Sequence, residues 1–540
     1  MQLWTYSSQK KVPYFLEMSL SRQLQVFLRQ PYAAELLFSK ANRQKMVADA
    51  LEDVYDGDLY KAMEEGEGPL SSPNNFTYNF NADGLKATKT SSVQVWPIYI
   101  RVNEVPMHAR QKHMFLAGVW IGKGDPDMNL FLQGFVQQAN RLSQNGINWH
   151  PRVGGPVVNS KFSPLCCTVD SKARCIMLNQ IGPTGYYACN FCTISGVQAN
   201  GVKFPIHPHP QQAVNPVLRT DAMMRRDMTT ALNLRLQGEQ DFSQQGMQGV
   251  SVLNNLRHFD LVRGFSTDDL HPIFEGVVRH HIGLLVDTKH EDQPWYIGTP
   301  IKKALLNSRL REVRLPTLLA RSPRDMTSLC KWRGNELRNF ILYSAVPLLE
   351  DIVVNQRHWN LIQCLSRATY LVMKASITED DLVVAEMLFR RYVSEFELIF
   401  GVEHMRYNIH MLLHIVMVVR LLGPTFVHST CHFESWNLKL RNHIQSMNGP
   451  LNQIVTRHLL LAFVRAVTED PQISPGIRQI LRDILEGIGR KNVTRVDDVL
   501  LLGDGKHRQP SPLEIRAIQR LGIKCDGLTE YLRTQFTAWS

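Results

Sequence analysis

From Phe76 to Gly84 the chain reads FTYNFNADG, apolar and polar positions alternating with a period of two. That period predicts a half-buried strand ending at Asp83. Residues 1–75 carry a different rhythm. LSRQLQVFLRQPYAAELLF (Leu20 to Phe38) and LEDVYDGDLYKAM (Leu51 to Met63) space their apolar residues as helices do, and EEGEGPLSSPNN (Glu64 to Asn75) reads as a loop. Beyond Asp83 two further strands are expected, in SSVQVWPIYIRV (Ser91 to Val102) and HMFLAGVWIG (His113 to Gly122). A turn, GKGDPD, then leads to a helix over Met128 to Gly146, which Asn145-Gly146 would close in a left-handed cap. SPLCCTVD (Ser163 to Asp170) is a fourth apolar run, ending on a second acid, with a helix predicted from Ser171.

The order strand, strand, strand, helix, strand, helix is that of an α/β protein with a ribonuclease H-like core, a mixed sheet flanked by helices. In that arrangement the first and fourth strands lie side by side, which would bring Asp83 and Asp170 together. A Pro-rich loop follows (Gly201 to Pro216), and HFDLVRGFSTDDLHPI (His258 to Ile273) is expected to hold one more strand. The division expected is a helical region over 1–75, the first part of the core over 76–274, and a large helical insertion over 275–403. The closing helices of the core would span 404–465, with a helical and loop region over 466–540.

Three carboxylates stand out against this frame. Asp83 and Asp170 close strands, and Glu434 lies in HFESWN, where His432, Phe433 and Trp436 imply a partly buried helix. Hard divalent cations take oxygen ligands, and a pair of them can stabilise both oxygens of an in-line phosphoryl displacement. An acid after any one strand is more often a turn residue; it is the combination with strand order that points to two Mg²⁺ (or Mn²⁺) ions. Cys189-x2-Cys192 and His410-x3-His414 offer a second set, four ligands for one structural Zn²⁺. The alternatives are ordinary buried thiols and core histidines, or a pairing of the cysteines with His207 and His209. Asp268-x2-His271 would orient a site carboxylate or a phosphate, or else cap a helix. No glycine-rich phosphate loop or dinucleotide fingerprint occurs.

Lys plus Arg number 60 against 49 Asp plus Glu, a net charge of +11 that suits a polyanionic partner. RLREVRLPTLLARSPR (Arg309 to Arg324) could track a DNA backbone or form a solvated basic face. Hydrophobic content of 44% and charged content of 20% fit a globular chain. No stretch is apolar and long enough to span a bilayer, so no membrane association is expected, and 9 cysteines without a regular framework suit a reducing compartment.

Six blocks, in order, resemble the transposases of CACTA-type (En/Spm-like) DNA elements: DGLKATKTSSVQVWPI, VDSKAR, GYYACNFCTISGV, DDLHPIFEGV, NIHMLLHIV and GPTFVHSTCHFESWN. The resemblance runs from about Leu20 to Leu460. It implies a DDE-type transposase core that cleaves and joins DNA at transposon ends, with Asp83, Asp170 and Glu434 as the catalytic triad. By likeness to the distantly similar V(D)J recombinase, Cys189, Cys192, His410 and His414 would bind zinc, and Asp268 and His271 would support the acids. A nuclear location and a homo-oligomer are implied, as is a DNA-binding module that is not found before Asp83. The alternative is a catalytically silent, transposon-derived factor that binds DNA or protein.

Overall fold

A computed structural model describes residues 14–88, 92–212, 215–316, 319, 322–468 and 473–486, with short stretches between 493 and 536. The protein is mixed α/β. Its main sheet contains β1 (Tyr14–Glu17), β2 (Phe76–Ala82), β3 (Val93–Val102), β4 (Met114–Lys123) and β5 (Phe162–Cys167). The spatial order is β1-β4-β3-β2-β5, with the short Leu85–Lys86 pairing on β3. β2 and β5 run parallel, whereas β2–β3, β3–β4 and β1–β4 are antiparallel. The first and fourth of the expected strands are therefore neighbours, and both end at the same edge of the sheet.

The two faces of this sheet differ in chemistry. Phe76, Phe80 and Ala82 point to an apolar core, where Phe80 meets Phe135 of helix α1 (Met128–Asn145) at 5.1 Å and Phe76 meets Phe162 at 5.5 Å. Asp127 caps α1 by accepting the Leu130 N–H, and Gly146 ends it at φ 63°. On the other face Thr77, Asn79 and Asn81 are all buried, as are Tyr99 and Arg101, which lie opposite Asn81 and Asn79 in register. Helix α2 (Ser171–Met177) follows β5 directly.

Between Leu270 and Asn442 every element among the described residues is a helix, joined by loops. A second apolar cluster packs around helices Gln356–Val372 and Glu379–Phe400, followed by α3 (Tyr407–Leu422) and α4 (Cys431–Asn442). The described residues divide into two units, the first ending at Ile454 and the second beginning at Val455. The second holds helix Pro475–Glu486 and short antiparallel strands, Val493–Val496 with Val499–Leu502, the latter with Arg533–Phe536, and Lys506–Arg508 with Leu528–Glu530. A region expected as helix and loop thus also contains strands; the remainder of 466–540 lies outside the described residues.

Three local expectations need correction. The strand expected within His258 to Ile273 does not form. Gly264 and Ser266 exchange hydrogen bonds with Cys167 in a single parallel bridge, and Asp268 then adopts φ 50°, which no strand can accommodate. The N-terminal region is not wholly helical, because Tyr14–Glu17 is an edge strand on β4. The helix expected over Leu51 to Met63 is reduced to a 3₁₀ turn and Asp58–Glu64. There the Asp56 carboxylate accepts the Glu52 and Asp53 N–H groups at 2.8 and 2.9 Å and binds Arg43, a local alternative to helix. Among the described residues no single helix is long and apolar enough to cross a membrane.

Candidate metal centres

Asp83 follows the C-terminal end of β2, which lies between β3 and β5. Its Oδ1 accepts the Gly84 N–H at 2.7 Å, and a Cβ at Gly84 would lie 2.5 Å from the Trp96 ring, so only glycine lets the chain turn here. Asp170 is the N-cap of α2, its Oδ1 accepting the Ala173 N–H at 2.6 Å. Glu434 comes from the first turns of α4, on the stretch that Phe433 and Trp436 bury. Each aspartate thus fixes one oxygen on the backbone, and Oδ2 makes no hydrogen bond among the described residues.

Asp83 and Glu434 both feel the charge of Asp170. Burial, then Asp170, push the Asp83 carboxyl up to about 7, while His271 pulls the other way. Burial also raises Glu434 to about 7, with His271 lowering it and Asp268, Glu275 and Asp170 adding to the rise. Like charges gathered in a partly desolvated site disfavour ionisation until a cation joins them.

Asp268 and His271 sit among these acids. The left-handed Asp268 aims its buried carboxylate two ways: Oδ2 meets His271 Nδ1 at 2.6 Å, and Oδ1 accepts the Thr430 hydroxyl at 2.7 Å. His271 Nε2 then faces Glu434 Oε1 at 3.4 Å. Burial works against the imidazolium, but Asp268, Glu434 and Asp170 together raise His271 to about 10. Ser429 donates to Asp269 at 2.6 Å, a second tie between this segment and the start of α4. Asp268 is both an orienting partner and a cap, accepting the Leu270 and His271 N–H groups of a π-helical segment, Leu270–Val278. Such wide helical turns recur at functional sites.

The second centre is tighter. Cys189, Cys192, His410 and His414 are all buried, with one ligand atom from each lying within 4.8 Å of the others. Among the described residues no other group of metal-capable side chains, the three acids included, gathers so closely. Cys189 Sγ to His414 Nε2 is 3.5 Å, Cys192 Sγ to His410 Nε2 is 3.4 Å, and the two Nε2 atoms are 3.1 Å apart. A tetrahedron with Zn–S of about 2.3 Å and Zn–N of about 2.0 Å has S···N edges of about 3.5 Å and an N···N edge of about 3.3 Å. The cluster has those dimensions and could bind a metal such as zinc. The rival histidines are elsewhere: His207 Nε2 meets Ser394 Oγ at 3.1 Å, and the His209 Nδ1 accepts the Gln211 N–H.

The shell around the thiols is also built for ligation. The Phe191 N–H donates to Cys189 Sγ at 3.4 Å, and Arg219 Nε donates to the Cys189 and Cys192 carbonyls, both at 3.0 Å, clamping the turn. Burial opposes a Cys189 thiolate, but the Cys192 thiol and the two imidazoles hold it well below the usual thiol range.

Arg174 joins the two centres. Fully buried on α2, four residues after Asp170, it donates to the Tyr407 hydroxyl of α3 at 2.8 Å and to the Ser266 carbonyl at 3.1 Å, and it lies over the Phe191 ring. The basic stretch from Arg309 is less free than its sequence implies. Arg309 pairs with Asp351, Arg311 with Asp325 and Arg324 with Glu336. Arg174 and Arg219 escaped the sequence analysis, although an arginine spaced one helical turn from a candidate ligand was visible in VDSKAR.

No family model matches the chain, and no curated protein matches it.

Proposed function

We propose that this chain is the catalytic core of a DDE-type DNA transposase of the CACTA kind, a ribonuclease H-like core split by a helical insertion, acting on DNA in the nucleus. The reading is supported most by one arrangement: acids at the ends of two adjacent parallel strands, coupled in charge to a glutamate that returns from more than two hundred residues later. Asp83, Asp170 and Glu434 would hold two Mg²⁺ or Mn²⁺ ions. When bound, the ions would lower the pKa of an attacking water or 3′-hydroxyl and neutralise charge on the phosphodiester. The backbone ties at Gly84 and Ala173 fix the aspartates' orientation, and His271, held by Asp268, sets that of Glu434. The Cys2His2 cluster would take one Zn²⁺ with all four positions filled, a structural role that pins α3 to the core.

The test is Mg²⁺-dependent nicking of supercoiled DNA. Asp170→Asn keeps the helix cap, since asparagine caps as well as aspartate, and is expected to fold, retain the Cys2His2 metal and lose nicking. An equally active variant sinks the reading. The second reading, a silent DNA- or protein-binding factor, draws on the wider spacing of the acids. Calorimetric Mn²⁺ titration separates the two: binding that the triad variants abolish belongs to the enzyme, and none at all to the factor.

A further inference from the structure

Arg101 stands near the end of β3 on the polar face of the sheet, fully buried and opposite Asn79 in register. It meets no carboxylate among the described residues. Its guanidinium reaches across to the segment that leads into Glu434: Nη1 meets His432 Nδ1 at 2.9 Å, Nη2 donates to the Val427 carbonyl at 2.6 Å, and the group lies 5.4 Å from the Phe433 ring centre. A buried cation without an anion destabilises a fold, because its lost hydration is repaid only by hydrogen bonds. Here two hydrogen bonds and one ring contact all go to one segment, 427–433, which immediately precedes the late acid.

The surroundings make this fork decisive. Around it the sheet offers α4 little dry surface. Asn79 Nδ2, Asn81 Oδ1, Tyr99 Oη, Asn103 Oδ1 and Arg101 Nε are all buried with no hydrogen-bond partner among the described residues. Apolar seating of α4 comes from Phe433 and Trp436, and Trp436 Nε1 also donates to the Gln111 carbonyl at 2.9 Å. Asp268 and Asp269 hold Thr430 and Ser429 from the π-helical side. Arg101 reaches this stretch from β3, the strand hydrogen-bonded to β2, whose end carries Asp83; Tyr99 of the same strand meets the Trp436 ring of α4 at 6.5 Å.

We infer that Arg101 is a positioning residue: its two-armed contact with Val427 and His432 sets where α4 presents Glu434 relative to Asp83. The consequence for metal binding rests on the proposed acid site; the seating of α4 does not.

Three variants of the full chain test it. Arg101→Lys keeps the charge and loses the fork, Arg101→Met loses both, and His432→Phe keeps ring packing on a half-buried helix position while removing the acceptor. Hydrogen exchange over residues 431–442 is expected to quicken about tenfold or more in each, with α3 and the sheet unchanged and the Cys2His2 metal retained. The Mn²⁺ midpoint is expected to rise about tenfold. Unchanged exchange over 431–442 in Arg101→Lys and His432→Phe overturns the inference. So does quickening spread evenly over the molecule with an unaltered Mn²⁺ midpoint, the mark of a merely stabilising residue. If α4 loosens as expected but the unmodified protein binds no Mn²⁺, the positioning role stands and the acid-site reading fails.

Discussion

The Cys2His2 cluster and the three acids are both assembled from distant parts of the chain, yet one is closed and the other spread. Thiols and imidazoles carry both donors and acceptors and hydrogen-bond to one another, so a 3.1 Å approach of two Nε2 atoms costs little. Carboxylates offer only acceptors, and bringing them together raises their pKa instead. The acid site accordingly borrows an internal cation, His271 held by Asp268, and anchors each aspartate on backbone N–H groups rather than on its fellow acids. Ligand chemistry, more than fold, decides how closely a site can be pre-assembled.

The largest expected effect falls on the closed site. Cys189→Ser should lose its metal and on the order of 5 kcal/mol or more of unfolding free energy, read by elemental analysis and denaturant titration. A fully stable, metal-free variant would show that packing alone holds α3. Acid should act next, and on both regions. Burial lowers His281 to about 3 and His358 to about 4 in the helical part, and lowers His428 to about 4 and His432 to about 3 beside the acid site. An unfolded imidazole titrates near 6.5. Below that the unfolded chain binds protons that the native state refuses, so this stability is present above pH ~6.5 and is lost as pH falls through the folded values. Thermal unfolding between pH 7.5 and 4.5 should show a steep decline; a flat profile would mean that these imidazoles are protonated in the fold.

A smaller effect reverses sign between the sites. Asp83→Asn removes a charge that burial and Asp170 oppose, and at pH 8 without added Mg²⁺ it should stabilise the protein by about 1 kcal/mol. Added Mn²⁺ should stabilise the unmodified protein and not the variant. Comparable in size and opposite in sign is Thr430→Val, which takes a hydroxyl from buried Asp268 and should cost about 1 kcal/mol, seen as a lower melting temperature without loss of the Cys2His2 metal.

Much of this was legible in the sequence because it is local. Period-two alternation marked β2, although both of its faces are buried rather than one, and the turn before Met128 and the Asn145-Gly146 cap bracketed α1. The cysteine and histidine spacings exposed four candidate ligands, and the Pro-rich surroundings of His207 and His209 already weighed against that rival pair. What was hidden depends on partners far along the chain. Tyr14–Glu17 becomes a strand only because β4 offers it an edge. The acids that open the π-helical turns are held by Thr430 and Ser429, some hundred and sixty residues away. Arg101 resembled any solvated charge at a strand end until the buried partners at Val427 and His432 were known.

The Cys2His2 cluster also bears on how the protein is made. Cys189 and His414 are 225 residues apart, so during synthesis the thiols leave the ribosome long before the imidazoles that complete their tetrahedron. At about 5–20 residues per second that interval lasts on the order of ten to forty seconds. For that time the loop after α2 carries a pair of half-satisfied thiols. A chaperone or a provisional metal partner acting in that window would govern the yield of correctly closed chains.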